Sequence, residues 1–556
     1  MMKVGSNLSV SHAARRVGGL MLPRRFLTSQ DGSLTILALC LFMLMVMMGG
    51  LAVDLMRYEA TRTTLQNTLD RATLASASLT QTLDAQDVVN DYFTKAGMID
   101  HLDGVTVTEG LNFRNVVADA SAATNPYFLH LIGQDGLDAN GHSMAEQRVT
   151  NVEIALVLDV SGSMSGTKLT NLKKAAKEFV DTVLSSDPDN RISITMVPYN
   201  AQVNLGLDMR SKYNATHIHD VDDVNCLELP SASYNAVGVS RSTPFPMSAF
   251  ADWSSTTNKT TAYVAYDDSS YGKMNTNAPF CRNTAGNIIR LPSNDIATLK
   301  TQIDSLVAAG NTSIMLGLKW GLALLDPYAQ PMFEELAGAG KIPSYFGNRP
   351  FEWVDRNSMK LIVLMTDGEH VAHTIIPDDY KTGESPIWRS VGDGKYSIRF
   401  TTGRPTIAST NEYWVPHLNG WRAAPYASTT AGAVVQNWED MWAVTRQSWV
   451  AWQLYARALG TTSTTRNSIY TAQLGAFQDT SDSASAMDIQ LQQSCAQAKA
   501  NGVVVYGIAF EAPTNGQTQI RNCATSAAHY FNATGLQIQS AFRAIASNIS
   551  QLRLTQ

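Results

Sequence analysis

The sequence predicts an α/β protein whose main domain is a doubly wound, Rossmann-like parallel sheet with long loop insertions, preceded by an N-terminal transmembrane helix and a stalk. One uncharged apolar run, 34–53, lies near the N-terminus. After Val152, short and purely apolar segments alternate with segments whose apolar residues recur at helical spacing. Purely apolar strands between amphipathic helices are typical of a parallel sheet that is covered on both faces. Polar residues follow two of these strands directly, at the edge where open parallel sheets bind ligands.

The composition indicates a folded protein that does not bind nucleic acid. Of its 556 residues, 44% are hydrophobic, which is enough for more than one domain core. The formal net charge is −6 with 16% charged residues, and Lys and Arg form no long basic run. Because nucleic-acid binding requires a basic patch that attracts phosphates, we expect protein partners instead.

The apolar run Leu34–Val53 predicts a single membrane-spanning helix. It carries no charge and has the ~20 residues that a helix needs to cross a ~30 Å hydrocarbon layer. The segment before it is basic, with Lys3, Arg15, Arg16, Arg24 and Arg25 against one acid, Asp31. The positive-inside rule therefore places the N-terminus in the cytoplasm and the rest of the chain outside. A cleaved signal peptide is the alternative, but its apolar core is usually shorter and ends at a small-residue cleavage site.

Hydrophobic periodicity divides the chain into five parts. They are a cytoplasmic N-terminus (1–33), the transmembrane helix (34–53), a helical stalk (54–104), a small membrane-proximal β segment and linker (105–150) and the main domain (151–550). Apolar residues at helical spacing in the stalk, such as Leu65 and Leu69, can pack on a partner helix or on the protein's own next segment. Alternation between 105 and 123 predicts strands, followed by a polar connection through Gly141.

The main domain shows an alternating strand and helix pattern with two interruptions. We predict strands at 154–158, 192–197, 361–365 and 503–510, and helices near 168–185, 295–309, 314–325, 486–500 and 538–549. Two stretches, about 205–291 and 370–485, do not follow this pattern and are rich in Ser, Thr, Asn, Gly and aromatic residues. Because structureless loops of this length are uncommon in compact domains, we interpret both as insertions.

Four of the five cysteines are candidates for disulfide bonds. Cys40 lies in the apolar run, which leaves Cys226, Cys281, Cys495 and Cys523 as two sequence-adjacent pairs. An even number fits two disulfides in an oxidising compartment. Four unrelated buried thiols are the alternative, because spacing alone does not prove pairing.

The second insertion contains a tryptophan-rich segment. Trp438, Trp442, Trp449 and Trp452 are spaced to share one face of a helix over about Val434–Leu459. This face is either the hydrophobic core of the insertion or an aromatic recognition surface for a protein or glycan, since exposed aromatic residues dominate interface energetics.

Five oxygen-bearing residues form the candidate metal site. The segment LVLDVSGSM places Asp159, Ser161 and Ser163 after the first predicted strand of the main domain. Thr312 precedes a predicted helix, and Asp367 ends the strand in LIVLMTDGE. Carboxylates and hydroxyls are hard donors that suit Mg²⁺, Mn²⁺ or Ca²⁺, and no Cys/His cluster with zinc spacing competes with them. Taken separately, the two motifs also read as a helix N-cap and a strand-to-turn exit.

These five residues resemble the metal-ion-dependent adhesion site (MIDAS) of the von Willebrand factor A (VWFA) family, whose pattern is Asp-x-Ser-x-Ser, then Thr, then Asp. All five positions match, in the right order. The resemblance implies that the hydroxyls bind a divalent cation, Mg²⁺ above all, and that the carboxylates bind it directly or through water. It also implies an open coordination position for a carboxylate of a protein partner.

The two ends of the chain resemble the TadG-like proteins of the tight-adherence (Flp) pilus system. The similar segments are QDGSLTILALC, GGLAVDLMRYEATRTTLQNTLDRATLASA, CAQAKANGVVVYGIAFEAP and RNCATSAAHYFNAT. The resemblance implies a bacterial inner-membrane protein with a periplasmic A domain that binds pilus-assembly components in the envelope. It also implies a disulfide between Cys495 and Cys523. The long insertions depart from the family and leave a shared partner surface in doubt.

The sequence indicates binding rather than catalysis. It has no Gly-x-Ser-x-Gly elbow, no HExxH helix and no Walker loop, so we expect no enzyme. Glu369, His370 and His373 are either ligands of a second metal or part of a polar loop. An alternative function is a VWFA subunit of an ATPase-driven, chelatase-like complex. That role requires a cytoplasmic domain, so a reporter fused after Gln556 distinguishes the two topologies.

Overall fold

The computed structural model describes residues 33–79, 81–109, 113–148, 151–185, 187, 189–252, 257–277, 279–355, 357–405 and 410–550. These residues form two units, the first over 33–108 and 114–147 and the second over the remainder. The basic residues that predicted the orientation of the membrane helix, and Asp31 with them, lie outside the described residues.

The first unit is built on one long helix. Its elements are α1 (Ser33–Ser76), α2 (Ala85–Lys95), β1 (Leu102–Glu109), β2 (Phe113–Thr124) and β3 (Leu137–Arg148). By length and composition, α1 is the helix of the described chain that could cross a membrane, and its apolar part is almost entirely exposed. Further along, Leu65 and Leu69 are buried against Val89 and Phe93 of α2. The stalk face thus packs on the protein's own next segment.

The three strands of the first unit form one sheet in the order β1-β2-β3. The predicted polar connection through Gly141 is therefore wrong, because Gly141 lies within β3. Alternation predicted β2 well, since Val116, Ala118, Ala120 and Ala122 are buried on one face. The sequence of β3 lacks such alternation, so pairing with β2, rather than its own pattern, defines it as a strand.

The second unit contains a six-stranded sheet. Its strands are β4 (Asn151–Asp159), β5 (Ile192–Tyr199), β8 (Arg290–Ser293), β9 (Ser358–Thr366), β17 (Val504–Phe510) and β18 (Tyr530–Ala533), in the order β18-β17-β9-β4-β5-β8. Neighbouring strands are parallel from β18 to β5, and β8 pairs antiparallel with β5 at one edge. The parallel arrangement places the carboxyl ends of β4, β9 and β17 side by side.

Helices cover both faces of this sheet. They are α3 (Thr167–Leu184), α5 (Ile296–Asp304), α6 (Ile314–Ala323), α7 (Gln330–Gly338), α12 (Ala484–Ala500), α13 (Thr514–Cys523) and α14 (Gln537–Ser550). Alternate residues of β4 explain the two layers: Ile154 and Leu156 pack with α3 and α14, whereas Ala155 and Val157 pack with α6 and α12. Burial on both faces is why this strand is apolar without alternation.

Both interruptions of the pattern are folded segments. The first contains α4 (Gly206–Arg210), β6 (Ala215–Thr216) and β7 (Phe245–Pro246). The second contains β10 (Thr374–Ile375), β11 (Glu384–Ser390), β12 (Tyr396–Arg399), β13 (Tyr413–Val415), β14 (Gly420–Arg422), β15 (Ala433–Asn437), α8 (Trp438–Val444), α9 (Gln447–Trp449), a π-helical turn (Val450–Ala456), α10 (Arg457–Leu459), α11 (Ser463–Phe477) and β16 (Asp479–Thr480). Five of these strands form an antiparallel sheet, β14-β13-β12-β11-β15.

The single helix predicted over Val434–Leu459 is wrong. Residues 433–437 form β15, which pairs with β11, and the backbone of Thr445 is extended and ends α8. Strand pairing therefore overrides the helical spacing of the first turn.

The four tryptophans form a core, not a recognition surface. Trp438, Trp442, Trp449 and Trp452 are all buried, and the first two stack with ring centroids 5.2 Å apart. The indole Nε1 groups of Trp449 and Trp452 donate to the carbonyls of Val264 and Thr260 at 2.9 Å. The recognition-surface alternative is wrong, because these rings join the second insertion to the first and are not accessible to a partner.

Two disulfides are formed, Cys226–Cys281 and Cys495–Cys523. The first closes a small apolar cluster in the first insertion, with Val224, Phe250 and Met274. The second lies where α12 and α13 meet. Both predicted pairs are confirmed, and Cys40 is free and exposed on α1.

Lys319 attaches the first insertion to the centre of the second unit. Every residue of α6 is buried, and the Lys319 ammonium donates to the carbonyls of Ala236, Val237 and Gly238 at 2.6, 3.0 and 2.8 Å. Burial lowers the pKa of Lys319 to about 8, so it remains mainly protonated at pH 7. Three carbonyl acceptors supply the hydrogen bonds that a buried ammonium requires.

We predict that Lys319→Met destabilises the second unit by about 3 kcal/mol, because it removes the buried ammonium that donates to three partly buried carbonyls. Denaturant unfolding of the detergent-solubilised chain, followed by tryptophan fluorescence, measures this unit, since all ten tryptophans follow residue 252. Lys341→Met is the control, because Lys341 forms an exposed ion pair with Asp208 worth about 0–1 kcal/mol. Equal losses in the two variants would contradict the role of Lys319.

Candidate metal-binding site

The candidate site lies at the carboxyl edge of the six-stranded sheet. Asp159 is the last residue of β4, and Asp367 directly follows β9, which is the neighbouring strand. Ser161 and Ser163 follow β4, and Thr312 precedes α6. Because adjacent parallel strands end together, the fold brings all five predicted residues to one edge.

Asp159 is completely buried and held by two hydrogen bonds. Its Oδ2 accepts from the Thr366 hydroxyl at 2.6 Å, and its Oδ1 accepts from the Ser161 backbone N–H at 2.8 Å. Burial and, after it, the nearby Asp367 carboxylate raise the pKa of Asp159 to about 6. Both effects disfavour a negative charge, so a cation placed between the two carboxylates would relieve them.

Asp367 connects the Ser163 hydroxyl with the Lys168 ammonium. Its side chain is buried, Oδ1 accepts from the Ser163 hydroxyl at 2.6 Å, and Oδ2 accepts from the Lys168 ammonium at 2.8 Å. Lys168 is on the first turn of α3 and is also 3.9 Å from Glu511 Oε2. The Lys168 ammonium therefore pairs with one buried carboxylate, Asp367, and one partly exposed carboxylate, Glu511.

The hydroxyls form a continuous polar row beside the carboxylates. Ser161 Oγ lies 3.0 Å from Ser163 Oγ. A Cβ built on Gly368 would lie 3.3 Å from Thr312 Oγ1 and 3.8 Å from Ser163 Oγ, so these two hydroxyls border the same glycine. Ser161 and Thr312 are buried, whereas Ser163 is exposed, which opens the row to solvent at one end.

Backbone hydrogen bonds fix the loops that carry these side chains. Gly162 N donates to Gly310 O at 2.8 Å, and Ala309 N donates to Val160 O at 2.9 Å. The Asn200 side chain, at the end of β5, donates to Ala309 O at 2.8 Å. The loop after β4 and the loop before α6 are thereby joined, which keeps Thr312 beside the Ser161 loop.

His370 and His373 do not form a second metal site. His370 Nε2 accepts from the Met315 N–H at 2.9 Å, so this tautomer donates its Nδ1 proton to Asp488, 2.7 Å away. His373 instead contacts Gln202 and Ser481. Among the described residues, no three His, Cys, Asp or Glu side chains cluster as metal ligands. The polar-loop interpretation fits, with His370 satisfying a backbone donor at the start of α6.

Three residues of the site were not found from the sequence. Thr366 immediately precedes Asp367, and Lys168 begins a helix, neither of which marks a site by itself. Glu511 carried a usable signal, since it follows β17 just as Asp367 follows β9. An acidic residue at the end of three adjacent strands is a pattern that a sheet-edge site would produce.

The comparisons identify the first part of the chain. Residues 32–79 match the family model described as Flp pilus-assembly TadE/G-like. The N-terminal segment is TadE/G-like. The resemblance noted in the sequence is confirmed over this segment, whereas the similar C-terminal stretches lie outside the match. No curated protein sequence matches the chain.

Solved structures with distant similarity include domains of pilus proteins. The vWF domain of the type V pili tip protein Mfa5 from Porphyromonas gingivalis is 12% identical, with 72% of this chain and 96% of that chain covered and a TM-score of 0.29. The pilus adhesin SpaC from Lactobacillus rhamnosus GG is 9% identical, with coverages of 80% and 33% and a TM-score of 0.28. The tip pilin GBS104 from Group B Streptococcus agalactiae is 11% identical, with coverages of 72% and 100% and a TM-score of 0.28. The chain spans about a third of the length of SpaC.

We predict that His373→Gln makes the second unit less sensitive to acid. Burial lowers the pKa of His373 to about 4 from 6.5, so the folded state favours the neutral ring. Its contribution is present above pH 6.5 and is lost as the pH falls towards 4, by about 3 kcal/mol. Unfolding free energies at pH 7 and pH 4 measure the difference. His217→Gln, at a partly exposed histidine, is the control and keeps the wild-type acid sensitivity.

Proposed function

We propose that this protein is a membrane-anchored, metal-dependent binding protein of a Flp-type pilus system, acting in pilus assembly or in anchoring the pilus to the envelope. Its second unit is a doubly wound VWFA domain, and the site at the sheet edge is a MIDAS. The observation that carries the proposal is the convergence of two buried carboxylates and three hydroxyls at the ends of adjacent parallel strands.

The donor set fits a divalent cation. Hard oxygen ligands with two carboxylates suit Mg²⁺, which also retains water ligands, and Mn²⁺ or Ca²⁺ accept the same donors. Ser161, Ser163 and Thr312 would bind the ion through their hydroxyls, while Asp159 and Asp367 would bind it directly or through water. The exposed side at Ser163 leaves room for an external ligand, which we propose to be a carboxylate of an envelope protein.

The remainder of the chain supports a location outside the cytoplasm. Two disulfides join residues of the second unit, as expected for a protein that folds in an oxidising compartment. The apolar part of α1 is exposed and long enough to cross a bilayer. We propose a single-pass inner-membrane protein with a cytoplasmic N-terminus and a periplasmic second unit, whose TadE/G-like segment joins it to pilus components.

The proposed site has binding chemistry and no catalytic arrangement. The Ser161 and Ser163 hydroxyls hydrogen-bond to each other, Ser163 donates to Asp367, and no histidine of the described chain hydrogen-bonds to either serine hydroxyl. A hydrolase would need a general base on one of these serines. We therefore propose that the protein is not an enzyme.

We predict that Asp159→Ala abolishes divalent-cation binding. Titration calorimetry of the detergent-solubilised chain with Mg²⁺, Mn²⁺ and Ca²⁺ measures the affinity, and a saturating cation should raise the thermal midpoint of the wild type only. At a concentration of 100 Kd, the cation stabilises the wild type by about 2.7 kcal/mol. Asp304→Ala is the matched control, because Asp304, at the end of α5, is an exposed acid that pairs with Lys177 of α3.

Two results would contradict this proposal. The first is wild-type protein that binds none of the three cations. The second is binding that is equal in Asp159→Ala, Asp367→Asn and the Asp304 control, because the ion would then sit elsewhere.

We predict that Lys168→Met strengthens cation binding about tenfold. The Lys168 ammonium holds Asp367 Oδ2 and competes with a metal ion for the same carboxylate. Because the lysine is partly exposed, its removal should make the free energy of cation binding more favourable by about 1.4 kcal/mol. Lys173→Met on the same helix, where the lysine donates to the Asp304 carbonyl, is the control. Weaker binding in Lys168→Met would mean that the ammonium positions Asp367 for the metal instead of competing with it.

A further inference from the structure

An apolar turn between β2 and β3 leaves three large side chains exposed on the surface of the first unit. Its sequence is PYFLHLIG, and a 3-10 turn occupies Leu129–Ile132. Tyr127, Leu131 and Ile132 are 68%, 72% and 60% exposed. Large apolar side chains clustered at one surface mark an interaction site when they are contiguous. Here they are also continuous with a second apolar surface, the exposed part of α1.

The turn is seated on the apolar part of α1. Phe128, Leu129 and Ile132 line a common cleft with Leu44, Met48 and Leu51 of the helix. The Phe128 ring lies directly over Gly50, where an added Cβ would come within 2.2 Å of two ring atoms. Gly50 is accordingly buried while its helix neighbours are exposed. A side chain at this position would displace the ring.

Asp54, which lies one helical turn after Gly50, binds the backbone of the segment Tyr127–Leu129. Its Oδ1 accepts from Tyr127 N at 2.9 Å, and its Oδ2 accepts from Phe128 N and Leu129 N at 2.7 and 2.8 Å. The Arg57 guanidinium lies 4.2 Å from the centre of the Tyr127 ring. Asp54 is buried although it follows the apolar run, because three backbone donors replace its water.

The backbone of the turn is largely satisfied internally. Leu131 N donates to Phe128 O, Gly133 N to His130 O, and Gln134 N to Leu129 O, each at 3.1 Å. Together with the three donors bound by Asp54, these bonds meet the main requirement for a segment in hydrocarbon, where an unpaired peptide group costs several kcal/mol.

The position of the contact along α1 defines how deep the turn would lie in a membrane that α1 crosses. Leu44 lies nine residues before Val53, the end of the apolar run, which at 1.5 Å per residue corresponds to roughly 13 Å. The turn therefore contacts the last third to half of a helix that could span a ~30 Å layer. Polar groups accompany the turn: Arg57 is next to Tyr127, and His130 Nδ1 lies 2.5 Å from Asp135 Oδ1. An amphipathic tyrosine beside such groups is typical of a headgroup region.

We propose that the turn Tyr127–Ile132 inserts into the lipid bilayer beside α1, as a second anchoring element of the first unit. This inference rests on the proposed membrane span of α1. A single helix leaves the attached unit free to rotate and tilt at the membrane surface. Insertion of the turn fixes both, because Asp54 and Gly50 couple it rigidly to the helix.

A fluorescent probe at Leu131 tests the insertion directly. The full chain with Cys40→Ala and Leu131→Cys is labelled with NBD and reconstituted into phosphatidylcholine–phosphatidylglycerol vesicles. Lipids with a nitroxide on the acyl chain should quench the probe, and aqueous iodide should not. Leu83→Cys is the matched control, a leucine of the same unit that is 64% exposed and distant in sequence from the turn. Its probe should be quenched by iodide and not by lipid.

The outcomes separate this inference from the anchoring proposal. NBD on the native Cys40 reports on α1 itself, since that thiol is exposed on the helix. Lack of lipid quenching at Cys40 would overturn the membrane span. Lipid quenching at Cys40 together with iodide quenching at position 131 would overturn only the insertion. A position 131 shielded from both quenchers would overturn it too, because a second copy or another protein would then cover the turn.

A pair of glycine variants tests the contact between the Phe128 ring and Gly50 of α1. Gly50→Ala should raise iodide quenching at position 131 several-fold, because the new methyl group displaces Phe128. Gly49→Ala is the neighbouring control, with no atom within 4 Å of its Cβ position, and should leave quenching unchanged. Equal quenching in the two variants would contradict the proposed coupling between the turn and the helix.

Discussion

The hydrogen bond from Thr366 to Asp159 joins the ends of two central strands, and the arrangement of the second unit depends on keeping that carboxylate buried. A desolvated charge is costly, and four donors hydrogen-bond to the Asp159 and Asp367 carboxylates: a backbone N–H, two hydroxyls and the Lys168 ammonium. These four donors come from three segments: the loop after β4, the first turn of α3 and the end of β9. The adjacent, parallel strands β4 and β9 bring these segments together, and the bond from Gly162 N to Gly310 O fixes the loop after β4.

The sequence predicted those parts of the fold that depend on local pattern. The apolar strands, the helices α3 and α14 and the five residues that converge at the sheet edge were all recognisable, because burial on both sheet faces and polar residues at strand ends leave marks in consecutive residues. Lys168 was not recognisable as a site residue, since its relation to Asp367 joins residues 199 apart in the chain. Long-range ion pairs of this kind have no signature in a single sequence.

The prediction of a single helix in the second insertion was wrong because a local pattern was present but did not determine the structure. Val434 and the tryptophans after it have helical spacing, yet Val434 pairs with Arg389 as part of an antiparallel sheet. Spacing cannot distinguish a helix from a strand followed by a helix when both bury the same residues. The burial of the tryptophans is a separate matter. The indole N–H groups of Trp449 and Trp452 donate to carbonyls in the first insertion, a contact between two irregular segments that neither pattern nor composition defines.

The fully buried helix α6 has a structural consequence for the proposed metal site. It starts two residues after Thr312, the backbone N–H of Met315 in its first turn donates to His370, and Lys319 in its middle bonds to the first insertion. Movement of Thr312 along the helix axis would therefore have to break contacts in both insertions at once. If the site binds a cation as proposed, its residues are already held in position before the ion arrives, so little conformational entropy would be lost on binding. Both insertions would then restrain the proposed site through their contacts with α6.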